Sequence, residues 1–568
     1  MKKEIVEKYI LPFGTLFICC GLYAYLFWSL DRGISSDEGW YYFNFLTVHN
    51  TPLSSGLSDF GIIISKYFSF LDFENALQLR YFYLALSIGI MAVFAFSSYA
   101  FLQTINRQFC VSKVQYIASV YLLFFFSYYY TTPVLFYDTL NLLLFLLVFS
   151  FLFLAEKNGR LAPLFFVIIG FFVTISIFNY IPGGILLFGI VVLWMLLFQK
   201  RYFNYLCFLF GVIIGILIYH YTIHSLYSYG LTFYDLFFKV QSIPPDGAEL
   251  PNHSVGNLIR GFVVFLIKCI AIMGSTFCLA LFAQNRLLSL IKSVLIKSLV
   301  GIGVTIVLFI VLYLIKEYIG TTIFLIPSAI VIAQLAAIRK FEKKELKLIF
   351  VFLLLMIVPM LGIFGTNQPY ERKTLLFTVF WIIGYWFLVV SYQKNISKRV
   401  LTYTQLLFCG IVLVAFMCHG FNYRAHSYYG IRKASYYLEN TARYQNIKVH
   451  PYQKQYIENI NDLLLDNGFV PGDTLVCFDI HQVVAYIVGT AVPDEIIYFS
   501  HHKFMFIGNK LSFTPSYLLL FTGMEENFLD YLEENDSAFN RGNYSRIPAG
   551  RYAENLPDSF SSVLYIKQ

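Results

Sequence analysis

The chain has 568 residues, 58% of them hydrophobic and 13% charged, with a mean hydropathy of +0.66. Soluble globular proteins carry roughly 45–50% apolar and about 25% charged residues, so this balance excludes a soluble enzyme, a disordered chain and a coiled coil. The net charge of +8 does not point to nucleic acid, because Lys and Arg sit mostly in short segments between apolar runs. There they report membrane orientation.

At roughly 20 apolar residues per crossing, thirteen runs read as membrane spans: 9–30, 81–103, 115–131, 137–155, 161–179, 183–199, 203–222, 261–283, 298–315, 321–338, 348–364, 374–392 and 400–418. Residues 1–8 followed by an apolar run without an A-x-A site read as a retained first helix rather than a cleaved signal. Pro182 divides the apolar stretch around 179–184 into two spans. Six cysteines (Cys19, Cys20, Cys207, Cys269, Cys278 and Cys409) lie inside spans, which is neither a disulfide framework nor a zinc spacing.

Loops on one side hold twenty basic residues, from Lys2 and Lys3 through Arg107, Lys200 and Lys340 to Arg399, against about eight on the other. The positive-inside rule puts the N-terminus in the cytoplasm. An odd number of spans then places everything after residue 418 outside. Residues 419–568 change character, with a turn at Pro471-Gly472-Asp473 and β-like runs at 474–478, 495–499, 517–521 and 563–566. Helix-like stretches at 452–467 and 525–534 lie between them. Alternation of this kind predicts a small α/β domain. It has no P-loop, no G-x-G-x-x-G and no H-E-x-x-H, and reads as a structural or acceptor-docking cap. The expected fold is therefore an all-α polytopic membrane domain of about 13 transmembrane helices (1–418) with a C-terminal extracytoplasmic α/β domain (419–568).

Two acidic sites stand at the expected outer surface. Ser35-Ser36-Asp37-Glu38-Gly39-Trp40-Tyr41-Tyr42 follows the first span, within the outer loop 31–80. Tyr137-Asp138-Thr139-Leu140-Asn141 opens the fourth. Structural readings exist for both. Ser35-x-x-Glu38 is a capping box, and Asp138 sits where an N-cap would, favoured by the helix dipole.

A cytoplasmic N-terminus, Asp-Glu with aromatics in a long first outer loop, and a second Asp at the outer start of the fourth span together resemble the GT-C glycosyltransferases. Among these the chain is most similar to bacterial aminoarabinose transferases and protein mannosyltransferases. The resemblance implies a transferase that takes a sugar from a polyprenyl-phosphate donor and passes it to a glycan, glycolipid or protein acceptor in the bilayer of a bacterial inner membrane. It assigns the general base to Asp37. Asp138 would orient the reacting groups or a divalent metal ion, the one cofactor implied. Two departures stand out. Trp40 occupies the neighbourhood where relatives often have a basic residue, and Ser58-Asp59-Phe60-Gly61 stands where they often have Lys-Pro.

Sugar transfer from a phosphate-linked donor needs a base for the incoming hydroxyl, and a positioned carboxylate contributes roughly 10²–10⁴-fold. It needs no general acid, since phosphate leaves readily. Glu38 and Tyr41 are expected near the substrates. Lys66, Arg80, Lys239, Arg260, Arg372 and Lys373 are the outward cations that could meet the leaving phosphate. Lys268 lies inside the eighth span, as a functional charge or a snorkelling lysine. His220 and His224, four apart, read as interfacial polar residues rather than a metal pair. Two alternatives compete. A lipid-glycan flippase or transporter would place charges in mid-membrane and often show repeats, whereas here there is no repeat and, apart from Lys268, no mid-membrane charge. A polysaccharide polymerase would use two lipid-linked oligosaccharides.

Overall fold

A computed structural model provides the three-dimensional structure. It describes residues 11–34, 42, 63, 73, 75–106, 112–129, 133–224, 255–282, 320–338, 346–364, 370–417, 429–439, 441, 443–477, 481–490, 514–523, 525–535, 538–554 and 556–568. The apolar part folds into helices α1 (Leu11–Ser29), α2 (Ala76–Ile105), α3 (Lys113–Tyr129), α4 (Tyr137–Lys157), α5 (Ala162–Asn179), α6 (Ile181–Phe198), α7 (Tyr202–His224), α8 (Val255–Phe282), α9 (Ile326–Ile338), α10 (Leu346–Leu361), α11 (Val379–Ser391) and α12 (Lys398–Ala415). Each expected span coincides with one of these helices except 298–315, which lies outside the described residues. Eight of the helices, α1, α2, α4 to α8 and α12, are long and apolar enough to cross a membrane. α9, α10 and α11 lie in shorter apolar segments. Among the described residues, eight helices are thus of crossing length.

What these helices expose is as apolar as what they bury. Along α7 the outward side chains are Phe203, Leu206, Phe210, Ile213 and Leu217, and along α8 they are Val263, Ile267 and Ile270. A helix that is apolar all round needs lipid on its open side. Inside, close approach of backbones does the work that side-chain volume does elsewhere. Tyr180 alone separates α5 from α6, and the hairpin closes because Gly184 has no side chain; a Cβ there would stand 2.3 Å from Ile177 Cα. α5 and α7 touch in the same way, where a Cβ on Gly170 would meet Phe208 O at 2.2 Å and one on Gly211 would meet Val167 O at 2.0 Å.

The C-terminal part is an α/β domain. A two-stranded ribbon, β1 (Tyr436–Tyr437) and β2 (Lys448–Val449), is followed by α13 (Pro451–Asp466), β3 (Leu475–Cys477), α14 (His481–Ile487), β4 (Tyr517–Phe521), α15 (Glu525–Asn535), β5 (Tyr544–Arg551) and β6 (Ser561–Lys567). The four-stranded sheet runs β3-β4-β6-β5, with β3 parallel to β4 and the other pairs antiparallel. Alternate residues face opposite sides, as strand geometry requires. Val476, Leu518, Leu520, Val563 and Tyr565 pack with Phe528, Leu529 and Leu532 of α15. Leu475, Cys477, Leu519, Leu564 and Ile566 belong to the other core, which holds Ile457, Ile460 and Leu464 of α13 and Val483 and Val484 of α14. The result is a three-layer sandwich. Strands at 475–477, 517–521 and 561–567 answer the expected runs; β1, β2, β5 and α14 were not anticipated, and 495–499 lies outside the described residues.

This domain is fastened to the beginning of the chain. Arg32 forms a parallel bridge with Lys448, in which Gly33 N donates to Lys448 O at 2.8 Å and Lys448 N donates to Asp31 O at 2.6 Å. The Lys448 ammonium lies 3.2 Å from the Asp31 carboxylate, and Arg32 Nη1 donates to Ala434 O at 3.0 Å. At the start of α2, Ala76 N donates to Arg443 O. Between these anchors the buried Tyr42 packs its ring against Tyr486 and Tyr444, with centroids 5.0 and 6.1 Å away.

Candidate functional site

Helix α4 begins at an N-cap Phe136 whose N–H donates to Thr139 Oγ1 at 2.9 Å. Asp138 is therefore not the N-cap that local sequence suggests but a residue of the first turn. Freed from capping, its buried carboxylate makes a different contact. Lys373, at the end of a one-turn helix Tyr370–Lys373, donates from Nζ to Asp138 Oδ2 at 2.5 Å. The ammonium also lies 5.7 Å from the centre of the Phe136 ring. Removing one partner of a buried ion pair typically costs about 3–5 kcal/mol, since the other charge is left in a poor medium.

Amides and hydroxyls continue the site inward. Asn141, one turn below Asp138, donates from Nδ2 to Gly362 O at 3.0 Å and accepts from Ser176 Oγ at 2.8 Å. Asn179 Nδ2 donates to Tyr137 O at 2.8 Å. The Tyr180 ring packs on Tyr137 with centroids 5.7 Å apart, and its phenol is within electrostatic reach of Asp138 and Tyr370. α8 closes the side, with Phe265 stacked on Tyr370. Four segments distant in sequence thus converge on one polar cluster.

The cluster lies at the membrane face that carries the α/β domain. Ser127 near the end of α3 donates to Leu375 O, two residues beyond Lys373. Its neighbour Tyr128 donates to Arg80 O near the start of α2, and α2 starts on the domain through Ala76 and Arg443.

Arg80 corrects an expectation. The first loop ends at Asn75, whose side chain caps α2 by accepting from Gln78 N at 3.1 Å. Arg80 is therefore helical and fully buried rather than outward. Its guanidinium donates to Leu30 O at 2.6 Å, to Gly33 O at 2.8 Å and to Tyr42 Oη at 3.2 Å. It ties the exit of α1 to α2 and so holds the two flanks, Ile34 and Tyr42, of the first acidic motif. Asp37, Glu38, Tyr41 and Lys66 lie outside the described residues, as do Lys239 and the side chains of Arg372 and His224. Arg260 is exposed, and so is Lys268, on the same open side of α8 as Ile267.

Among the described residues no three His, Cys, Asp or Glu side chains gather as a metal site. At Asp138 the cation position is taken by Lys373, so the described donors there do not fit a divalent ion. The sequence pointed to Asp138 and Lys373 separately and gave no sign of their pairing. Asn141 falls at i+3 from Asp138, a signal that could have placed it on the same helix face; Ser176 and Asn179 had none. No protein-family model matches this sequence, and no curated protein is significantly similar to it.

Proposed function

We propose that the chain is an integral-membrane glycosyltransferase of the GT-C type, moving a sugar from a polyprenyl-phosphate donor to an envelope glycan, glycolipid or protein acceptor. The observation that supports it best is the buried Asp138–Lys373 pair, at the same membrane face as the α/β domain. A surface-acting enzyme needs its charges there, where lipid-borne phosphate and a polar acceptor meet. A transporter needs them at mid-membrane.

In this reading Asp37 accepts the proton of the acceptor hydroxyl as its oxygen bonds to the anomeric carbon. The bond from that carbon to the phosphate oxygen breaks, and the polyprenyl phosphate leaves with the electron pair. Lys373 meets the charge on that phosphate, and Asp138 holds the ammonium in place. No step is routed through a metal. The full architecture we propose has thirteen crossings, including 298–315, a cytoplasmic N-terminus and an external α/β domain in a bacterial inner membrane.

The test is mass spectrometry of envelope glycolipids and glycans from cells with and without the gene, complemented by the parent or by Asp37→Asn. A sugar modification lost on deletion, restored by the parent and not by Asp37→Asn, is the expected result. Identical envelope profiles with and without the gene, under conditions where the protein is made, would remove the proposal.

A further inference from the structure

The ribbon β1–β2 has a feature that the sheet core does not explain. Among the described residues β1 pairs only with β2. Successive strand residues point to opposite faces, yet both Tyr436 and Tyr437 are exposed, at 51% and 47%. Each ring thus leaves about half of its surface open, while the Tyr437 hydroxyl is hydrogen-bonded to the Lys448 ammonium.

The position of the ribbon says what they meet. The described part of α1 has 19 residues, about 28 Å at 1.5 Å per residue, long enough to cross the hydrocarbon core and so to bring Ser29 toward the membrane surface. Rings near that end mark the same level: Tyr25 packs on Phe416 beyond α12, with centroids 5.1 Å apart, and Trp28 is 41% exposed. Three residues past Ser29, Arg32 bridges Lys448, and Lys448 is the register partner of Tyr437. Two strand spacings of roughly 5 Å therefore separate Tyr437 from the chain as it leaves the bilayer. Tyr and Trp favour this depth, where an apolar ring and a polar tip are both accommodated.

Charge agrees with the placement. Arg32 lies over Trp28, 4.3 Å from the ring centre. Lys448 lies 5.0 Å from the Tyr437 ring. Arg432 and Lys433 are exposed in the turn before β1. The carboxylates around these four cations are Asp31, paired with Arg32 and Lys448, Glu439, paired with Lys454, and Glu554, whose backbone N–H donates to Tyr429 Oη.

We propose that Tyr436, Tyr437, Arg432, Lys433 and Lys448 form a foot by which the α/β domain rests on the adjoining leaflet, with its cations on the phosphates of anionic lipid headgroups. The foot holds the domain at a fixed height over the polar cluster around Asp138. It requires nothing of the reaction, so it stands or falls separately from the proposed function.

The test is hydrogen–deuterium exchange of the full chain in nanodiscs of phosphatidylcholine alone and with 30 mol% phosphatidylglycerol, read on peptides covering 429–439. Slower exchange in the anionic discs is expected, fading at high salt. The difference should shrink several-fold in the double variant Arg432→Gln, Lys433→Gln, whose exposed side chains leave the sheet core intact. Inorganic phosphate added to the zwitterionic discs should not reproduce it. Equal exchange in both lipids, protection indifferent to the double substitution, or the same protection from free phosphate would each overturn the proposal.

Discussion

Lys373 and Asp138 stand 235 residues apart in sequence and 2.5 Å apart in space, where packing leaves the aspartate side chain 6% exposed. Asp138→Asn or Lys373→Gln alone strands one charge and should destabilise the protein by about 3–5 kcal/mol. The double substitution removes both charges and should recover most of that loss. Thermal unfolding of the purified protein in detergent measures the three variants. A double variant no more stable than the singles would mean that the two charges are not coupled as the geometry indicates.

The same set divides structure from function. Once the double variant is stable, a purely structural pair would leave glycan transfer intact. In the reading proposed above, transfer stays low because no ammonium meets the phosphate, and the missing charge-assisted contact costs roughly 1.5–3 kcal/mol of donor affinity. Donor titration with the stable double variant reads this directly.

Asp37→Asn keeps the side-chain shape and can still cap a helix, but does not accept a proton at neutral pH. It should fold, reach the membrane and bind donor while transfer falls by roughly 10²-fold or more. Glu38→Gln, if Glu38 only caps a helix from Ser35, should be milder. Near-normal turnover by Asp37→Asn would move the base assignment to Asp138.

Arg80 should behave as a structural clamp. Arg80→Met leaves the buried carbonyls of Leu30 and Gly33 without their donors, at about 1–3 kcal/mol for each orphaned group. The expected outcome is a lower unfolding temperature and faster proteolysis in the segment between Ile34 and Asn75. Unchanged proteolysis there would show that the segment does not depend on Arg80.

How far the sequence carried varies with the range of the interaction involved. Helices were legible because apolar length is a local property, and the break at Tyr180 was legible because Pro182 is. The strands at 475–477 and 517–521 announced themselves by β-branched and aromatic content between turns. β5, which contains Pro548, Gly550 and two arginines, gave no such signal; its pairing with β6 forms it. Arg80 was misread because one position on a helix face decides whether an arginine meets solvent or the carbonyls of another helix. The Asp138–Lys373 contact was beyond reach, since nothing in either local stretch encodes a partner 235 residues away.

Acid should loosen the α/β domain. His481 is buried, its Nε2 2.8 Å from Ser562 Oγ, which in turn lies 2.6 Å from Tyr456 Oη. Burial holds its imidazole down to about 3, against about 6.5 for an exposed histidine. The folded domain thus keeps it neutral where the unfolded chain binds a proton. Its contribution to stability is complete above about pH 6.5 and declines as pH falls toward 3, by up to about 1.4 kcal/mol per unit. The Arg546 guanidinium lowers Glu525 in the same sense at more acidic pH. Unfolding followed between pH 7 and 5 should show a steeper loss in the parent than in His481→Gln; equal slopes would exclude His481 as the cause.

The bridge between Arg32 and the ribbon also sets a schedule for biosynthesis. Arg32 reaches Ala434 across 402 residues, which at roughly 5–20 residues per second takes about 20–80 s to translate. During that interval Asp31, Arg32 and Gly33 lack the backbone and side-chain partners that Lys448 and Ala434 later supply. Assembly therefore runs back to front, with the last domain made completing the first loop inserted. A ribosome stalled before residue 448 would leave Asp31 and Gly33 without their partner Lys448, however many helices were already in the membrane.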